Sequence, residues 1–152
     1  MTKTRGVLLA ITFLALGLVA GYWVAIEGST SVSTANRVHD LASASAEVEK
    51  AYSSSDKLAY EKSLWRYLVL LEAQGTGAAA TYDDWVIATD IALTYARLAD
   101  LASEEGLADK SRYLLAEAER QCPRMQLAKC SQAAILELAR RSLGSAVATV
   151  AH

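Results

Sequence analysis

Residues 82–105 read YDDWVIATDIALTYARLADLASEE, and the placing of their apolar residues decides the fold class. Two neighbouring stripes, Ile87-Ile91-Leu98-Leu101 and Trp85-Ala88-Ala92-Tyr95-Ala99-Ala102, recur at three- and four-residue steps and share one side. That is the period of an amphipathic helix, because only a backbone winding at 3.6 residues per turn brings such positions into line. Asp90, Arg97, Asp100 and Glu104 fall on the other side and are expected to face water. Asp83-Asp84 stand in the first turn, where acidic side chains favour the helix dipole, and Gly106 follows as a left-handed C-cap.

The same period extends in both directions. Beyond Gly106 a shorter helix sets Ala108, Ser111, Leu115, Ala118 and Cys122 on its inner edge and is ended by Pro123. A last helix over 131–143 buries Ile135, Leu138 and Ala139, and GSAVATVAH, residues 144–152, is expected as a flexible tail. Upstream, Asp56 or Ser55 caps a helix whose apolar face is Leu58, Leu64, Trp65, Leu68 and Leu71, widened by Tyr60, Tyr67 and Leu70 and stopped by Gly75 and Gly77. Before it, Val38, Leu41, Ser45, Val48 and Tyr52 make a weak stripe after a Ser33 or Thr34 cap, ended by Ser53, Ser54 and Ser55. Serine within that stripe predicts loose packing, or a stalk continuing from a membrane helix. Residues 35–143 are therefore expected to form one all-α domain.

A chain of 152 residues allows one domain of ordinary size, but 53% hydrophobic residues exceed what such a domain needs in water. The surplus is at the start. GVLLAITFLALGLVAGYWVAI, residues 6–26, carries no charge and covers roughly 30 Å as a helix, one bilayer crossing. Lys3 and Arg5 precede it and Tyr22 and Trp23 suit the far interface, so the positive-inside rule places residues 1–5 in the cytoplasm and the rest outside. A cleaved signal peptide shares this layout and topology, but the apolar run continues through Trp23, Val24 and Ile26, which favours an uncleaved anchor. Residues 27–34 are small and polar, a linker. Gly17 and Gly21 form a small-xxx-small spacing that lets a second membrane helix approach, so an oligomer is a candidate state.

Residues 92–125 resemble a tetratricopeptide repeat, a helical hairpin with a period of about 34 residues. Tyr95 takes the first aromatic position, Leu98 and Ala99 the large-small pair, Gly106 the turn, Ser111 and Ala118 small positions of the second helix, and Pro123 the close. Leu115 fills the usual aromatic place on that helix, and Ala102 stands where the family has a second aromatic. The resemblance implies a small bundle of helical hairpins that binds other proteins, similar to membrane-anchored periplasmic helpers of translocons, cytochrome maturation and secretion machines. A solenoid needs about three repeats, and only half a unit can follow Pro123, so a compact hairpin bundle is the alternative.

Cys122 and Cys130 are the only cysteines, and outside the cytoplasm such a pair is read as a disulfide. Along one continuous helix they would stand roughly 12 Å apart, beyond the ~7 Å reach of a bridge. The bond therefore requires a turn, and Pro123 supplies it.

Catalytic signals are lacking. His39-Asp40 has no nucleophile motif beside it, Asp83-Asp84 and Glu104-Glu105 read as surface charges, and no phosphate loop, metal-ligand cluster or dinucleotide fingerprint is present. No cofactor, no metal and no nucleic acid are expected, because Lys and Arg are scattered and the formal charge is −2. Trp65 and Trp85 are expected in the core, while Tyr60, Tyr67 and Tyr82 are the candidates for a partner surface. The expected protein is a non-enzymatic single-pass protein of a bacterial inner membrane, its C-terminal domain periplasmic and in contact with other membrane or periplasmic proteins as an accessory or assembly subunit. The alternative is an immunity or exclusion protein that neutralises a toxin or phage component.

Overall fold

The computed structural model of the chain describes residues 35–74 and 82–150, with side chains as far as Ser142. Residues 1–34, and with them Lys3, Arg5, Tyr22, Trp23, the run 6–26 and the linker, lie outside the described residues. Among those described, no helix is long and apolar enough to cross a membrane. The chain divides into two units at Val38/His39, and the second, His39–His152, carries the helical core.

The described residues form an all-α fold of five helices and no strand: α1 (35–53), α2 (Lys57–Glu72), α3 (Asp84–Glu104), α4 (Ala108–Arg120) and α5 (Gln132–Val150), with a 3-10 turn at Cys122–Arg124. The boundaries follow local chemistry. Ser53 and Ser54 return their hydroxyls to the carbonyls of Lys50 and Ala51, and Ser55 takes φ 59°, so α1 stops there. The carboxylate of Asp56 accepts from the Ala59 amide at 3.0 Å and starts α2. Helix α3 ends at Gly106 (φ 76°), where the Leu107 amide donates to the Ala102 carbonyl and the Gly106 amide to that of Ser103. These two bonds make a Schellman cap, which needs one left-handed residue and gets it from glycine. Ser131 begins α5 through its hydroxyl, 3.3 Å from the Ala134 amide. Helix α5 then runs past Leu143 to Val150, through most of the expected tail, because Ala and Val there offer no break stronger than Gly144.

Helices α2 and α3, and α3 and α4, run antiparallel, as their end-to-end bonds show. Lys57 at the start of α2 meets Glu104 at the end of α3 (2.6 Å), and Arg124 after α4 grips Asp84 at the start of α3 with two bonds (3.0 and 2.5 Å). Arg140 of α5 does the same to Asp100 of α3 (3.1 and 2.5 Å). Helix α3 is central and has two apolar sides. Ile87, Ile91, Leu98, Ala99 and Ala102 join Leu41, Ala44 and Val48 of α1, five residues of α2, and Leu114 of α4. Ala88, Ala92, Leu93 and Ala96 join Ala118, Met125, and Ile135 and Ala139 of α5.

This arrangement corrects several expectations. Helix α1 belongs to the core and is no loose stalk, because Ala44 lets it approach closely while Leu41 and Val48 fill the space beside it. The large side chain that α4 buries is Leu114, with Leu115 half-buried beside it and Ala108 exposed. The polar column of α3 is enclosed: Asp90, Arg97 and Asp100 are half-buried, since α3 has neighbours on more sides than one amphipathic stripe supplies. On α2 the buried face is Tyr60, Leu64, Tyr67, Leu68 and Leu71, while Leu58 is 77% and Trp65 38% exposed. Tyr60 and Tyr67 are therefore core residues and not partner surface. The helix has an apolar stripe on each side, and on the inward one the Tyr67 hydroxyl finds Asp90 of α3 at 3.2 Å.

Candidate functional site

A groove of about 700 Å³ opens where the end of α1, the start of α2, the second half of α3 and α5 converge. Its walls alternate apolar patches, from Ala51, Leu101, Leu136 and Ala139, with the ion pairs Lys57–Glu104 and Arg140–Asp100. Tyr60 and Arg97 also line it. Tyr60 is 6% exposed, its ring packs against Tyr52 with centroids 5.3 Å apart, and its Oη has no hydrogen-bond partner among the described residues. Burial pushes the Tyr60 hydroxyl up to about 12, and the charge of Arg97 opposes the rise. Arg97 donates through Nη2 to the Ser142 hydroxyl at 2.9 Å, while its Nε is buried without a partner.

Arg97 also borders a second, smaller cavity of about 200 Å³ with Ser45, Val48, Tyr67 and Asp90. There the Tyr67 hydroxyl donates to Asp90 Oδ2 at 3.2 Å. Burial raises the Asp90 pKa, while the Tyr67 bond and the charge of Arg97 pull it down. Burial and the neighbouring carboxylate together raise Tyr67. Neither cavity is lined by a histidine or cysteine, and among the described residues no group of three or more His, Cys, Asp or Glu is placed to hold a metal. What the groove offers chemically is recognition: apolar walls, hydrogen-bond donors, and a rim of paired charges.

The outer side of α2 makes a second candidate surface. Leu58, Trp65 and Val69 recur at steps of seven and four, which places them in one line, and all three are exposed. Trp65 Nε1 points at Glu61 Oε1 (3.4 Å), which also accepts from Lys110 of α4 at 2.8 Å and is held below the usual carboxylate range chiefly by that bond. Tyr113 of α4, Tyr82 and Trp85 are exposed as well, so Tyr82 lies at the surface as expected and Trp85 is outside the core.

The residues singled out for the repeat are distributed over one hairpin. Tyr95, half-buried on α3, donates to Glu72 of α2 at 3.0 Å, and Leu98 and Ala99 are buried. Ser111 of α4 donates to the Ala99 carbonyl at 2.8 Å, which draws the two helices together beside the Gly106 turn. Ala118 is fully buried and Pro123 lies in the 3-10 turn. That turn brings Cys122 and Cys130 to a Cα separation of 5.7 Å, where they form a disulfide. Asp84 and Glu104, read from sequence as plain surface charges, are the anchors of Arg124 and Lys57.

A grooved face is what a helical-hairpin bundle leads one to expect, but of the residues that line this groove only Tyr60 was among the surface candidates. Its residues come from four helices and share no local spacing; the other trace was Arg97 standing amid the small and apolar residues of α3. No protein-family model matches the chain, and no curated protein and no solved structure matches it.

Proposed function

We propose that the protein is a non-enzymatic, single-pass membrane-anchored interaction module, an accessory or assembly subunit of a bacterial envelope complex, with the helical domain on the periplasmic side. The observation that carries this reading is the line Leu58, Trp65, Val69 on α2, opposite the face that fills the core. A helix that already has a complete inner face gains nothing in water from a second apolar stripe, and such stripes mark contact surfaces. The uncharged run 6–26 supports the anchor, and the disulfide suits an oxidising compartment. The resemblance of residues 92–125 to a tetratricopeptide repeat belongs to the same reading, since hairpin arrays of that kind serve as binding surfaces.

The test is purification of the tagged full-length chain from its native membranes in gentle detergent, beside the variant Val69→Glu. Recovery of a stoichiometric set of resident envelope proteins, lost with Val69→Glu, supports the proposal. Recovery of the chain alone, or of the same set with the variant, contradicts it and moves the search to a foreign target such as a toxin.

A further inference from the structure

Two buried donors beside the groove lack acceptors. An arginine Nε–H can only donate, a buried donor without a partner is costly, and native proteins rarely keep one without reason. Arg97 Nε is such a donor, and the Tyr60 hydroxyl, on a side chain more than nine-tenths buried, is equally unpartnered beside it. The charges point the same way. Of the cations lining the groove, Lys57 is paired with Glu104 and Arg140 with Asp100, whereas Arg97 has no ion pair among the described residues. Asp90, which borders the smaller cavity together with Arg97, accepts from Tyr67 and feels the charge of Arg97 without a direct bond to it among the described residues. Asp56, the remaining lining carboxylate, is spent on the cap of α2. The rest of the lining is apolar at Leu101, Leu136 and three alanines and hydroxylic at Tyr52, Ser53 and Ser55, and about 700 Å³ lies within the range of small-molecule sites, roughly 300–1,000 Å³.

We propose that this groove binds a carboxylate carried on an apolar body, with Arg97 and Tyr60 as the donors to its oxygens and Leu101 and Leu136 against its body. A carboxylate matches both needs at once, since it is acceptor-only and brings a negative charge to the one lining cation that no carboxylate of the groove pairs. A cation or a neutral amide would supply at most one of them. The site is separate from the outer stripe of α2 and does not depend on the function proposed for it.

The experiment uses the full-length chain in detergent micelles and 4-phenylbutyrate as probe, which is soluble and does not itself form micelles, with empty micelles as control. Isothermal titration is run against 4-phenylbutyrate, its primary amide and 4-phenylbutylamine. The expected result is saturable binding of the carboxylate with a submillimolar Kd, and about tenfold weaker binding of the amide and the amine. Arg97→Gln and Tyr60→Phe are each expected to raise that Kd about tenfold. Trp65→Ala, on the outer side of α2, leaves it unchanged. Circular dichroism melting of every variant separates loss of the site from loss of the fold, and Tyr60→Phe removes only one oxygen. Absence of saturation by 10 mM carboxylate, equal binding of the amide, or an unchanged Kd in folded Arg97→Gln and Tyr60→Phe would overturn the proposal. A peptide with a free carboxyl terminus, acetyl-Leu-Leu-Leu, is compared with 4-phenylbutyrate. Tighter binding of the peptide assigns the source of the carboxylate to a polypeptide end, and tighter binding of 4-phenylbutyrate assigns it to a small acid.

Discussion

The two apolar clusters that meet on α3 hold the domain together by different means. On one side Ile87, Ile91 and Leu98 interlock with Leu64, Leu68 and Leu71 of α2, so cohesion comes from large buried side chains. On the other, Ala88, Ala92 and Ala96 present a stripe of methyl groups to Ile135 and Ala139. Alanines allow close approach but remove little apolar area from water, so that side needs reinforcement. It has two bidentate ion pairs, Asp84–Arg124 and Asp100–Arg140, and the Cys122–Cys130 bond between α4 and α5. A side built on volume loses stability when volume is removed, whereas a side built on proximity loses it when its clamps are cut or methyl groups are enlarged.

The sharpest way to break this contrast is truncation on the large side. Leu64 is fully buried, and Leu64→Ala should destabilise by about 3–4 kcal/mol in denaturant unfolding, transfer and cavity costs together. Replacing both cysteines by serine comes next. Closing so short a loop stabilises by about 2–3 kcal/mol in the chain-entropy model, and the loss should show as faster amide exchange in α5 with α1 and α2 unchanged. Ala92→Leu should cost about 2 kcal/mol by overpacking, since nothing around Ala92 can retreat without parting α3 from α5. Gly106→Ala should cost about 1 kcal/mol. A Cβ there meets no atom within 4 Å, so the whole penalty is the left-handed backbone.

The smallest effects are in pH dependence, and they carry opposite signs on the two sides. Burial raises Asp90 against the large cluster, so its ionisation destabilises the fold and stability falls as pH climbs from the ordinary carboxylate range through the raised value. Arg124 lowers Asp84 on the alanine side, so that contribution is present above the ordinary carboxylate range and is lost as pH falls through the lowered value. Asp90→Asn should remove the first slope and Asp84→Asn the second, in melting curves recorded from acid to neutral pH. The same sign for both variants would undo this assignment.

How much of this the sequence disclosed depends on how local each signal is. The Asp56 cap, the Gly106 turn and the break at Pro123 act within a few residues, and they stand where spacing predicted. The disulfide followed from two cysteines and one proline. On α2 the spacing set Leu64, Leu68 and Leu71 inward, with Tyr60 and Tyr67 widening that face, but it also set Leu58 and Trp65 there, because hydropathy ranks Trp65 and Leu58 above Tyr60 and Tyr67. What turns Tyr67 inward is Asp90, a carboxylate on another helix. The column Asp90, Arg97, Asp100 and Glu104 looked like a water face for the same reason. Tyr67, Ser142, Arg140 and Lys57, their partners, lie 23 to 47 residues away in sequence. The groove is the extreme case, a site assembled by tertiary packing alone.

The outer side of α2 is proposed above as a contact surface. A photo-crosslinking residue placed at Val69 and, as control, at the exposed Arg112 of α4, tests it directly in native membranes. The account predicts one discrete adduct with a resident envelope protein from Val69 and none from Arg112. No adduct from Val69, or the same adducts from both positions, would contradict it.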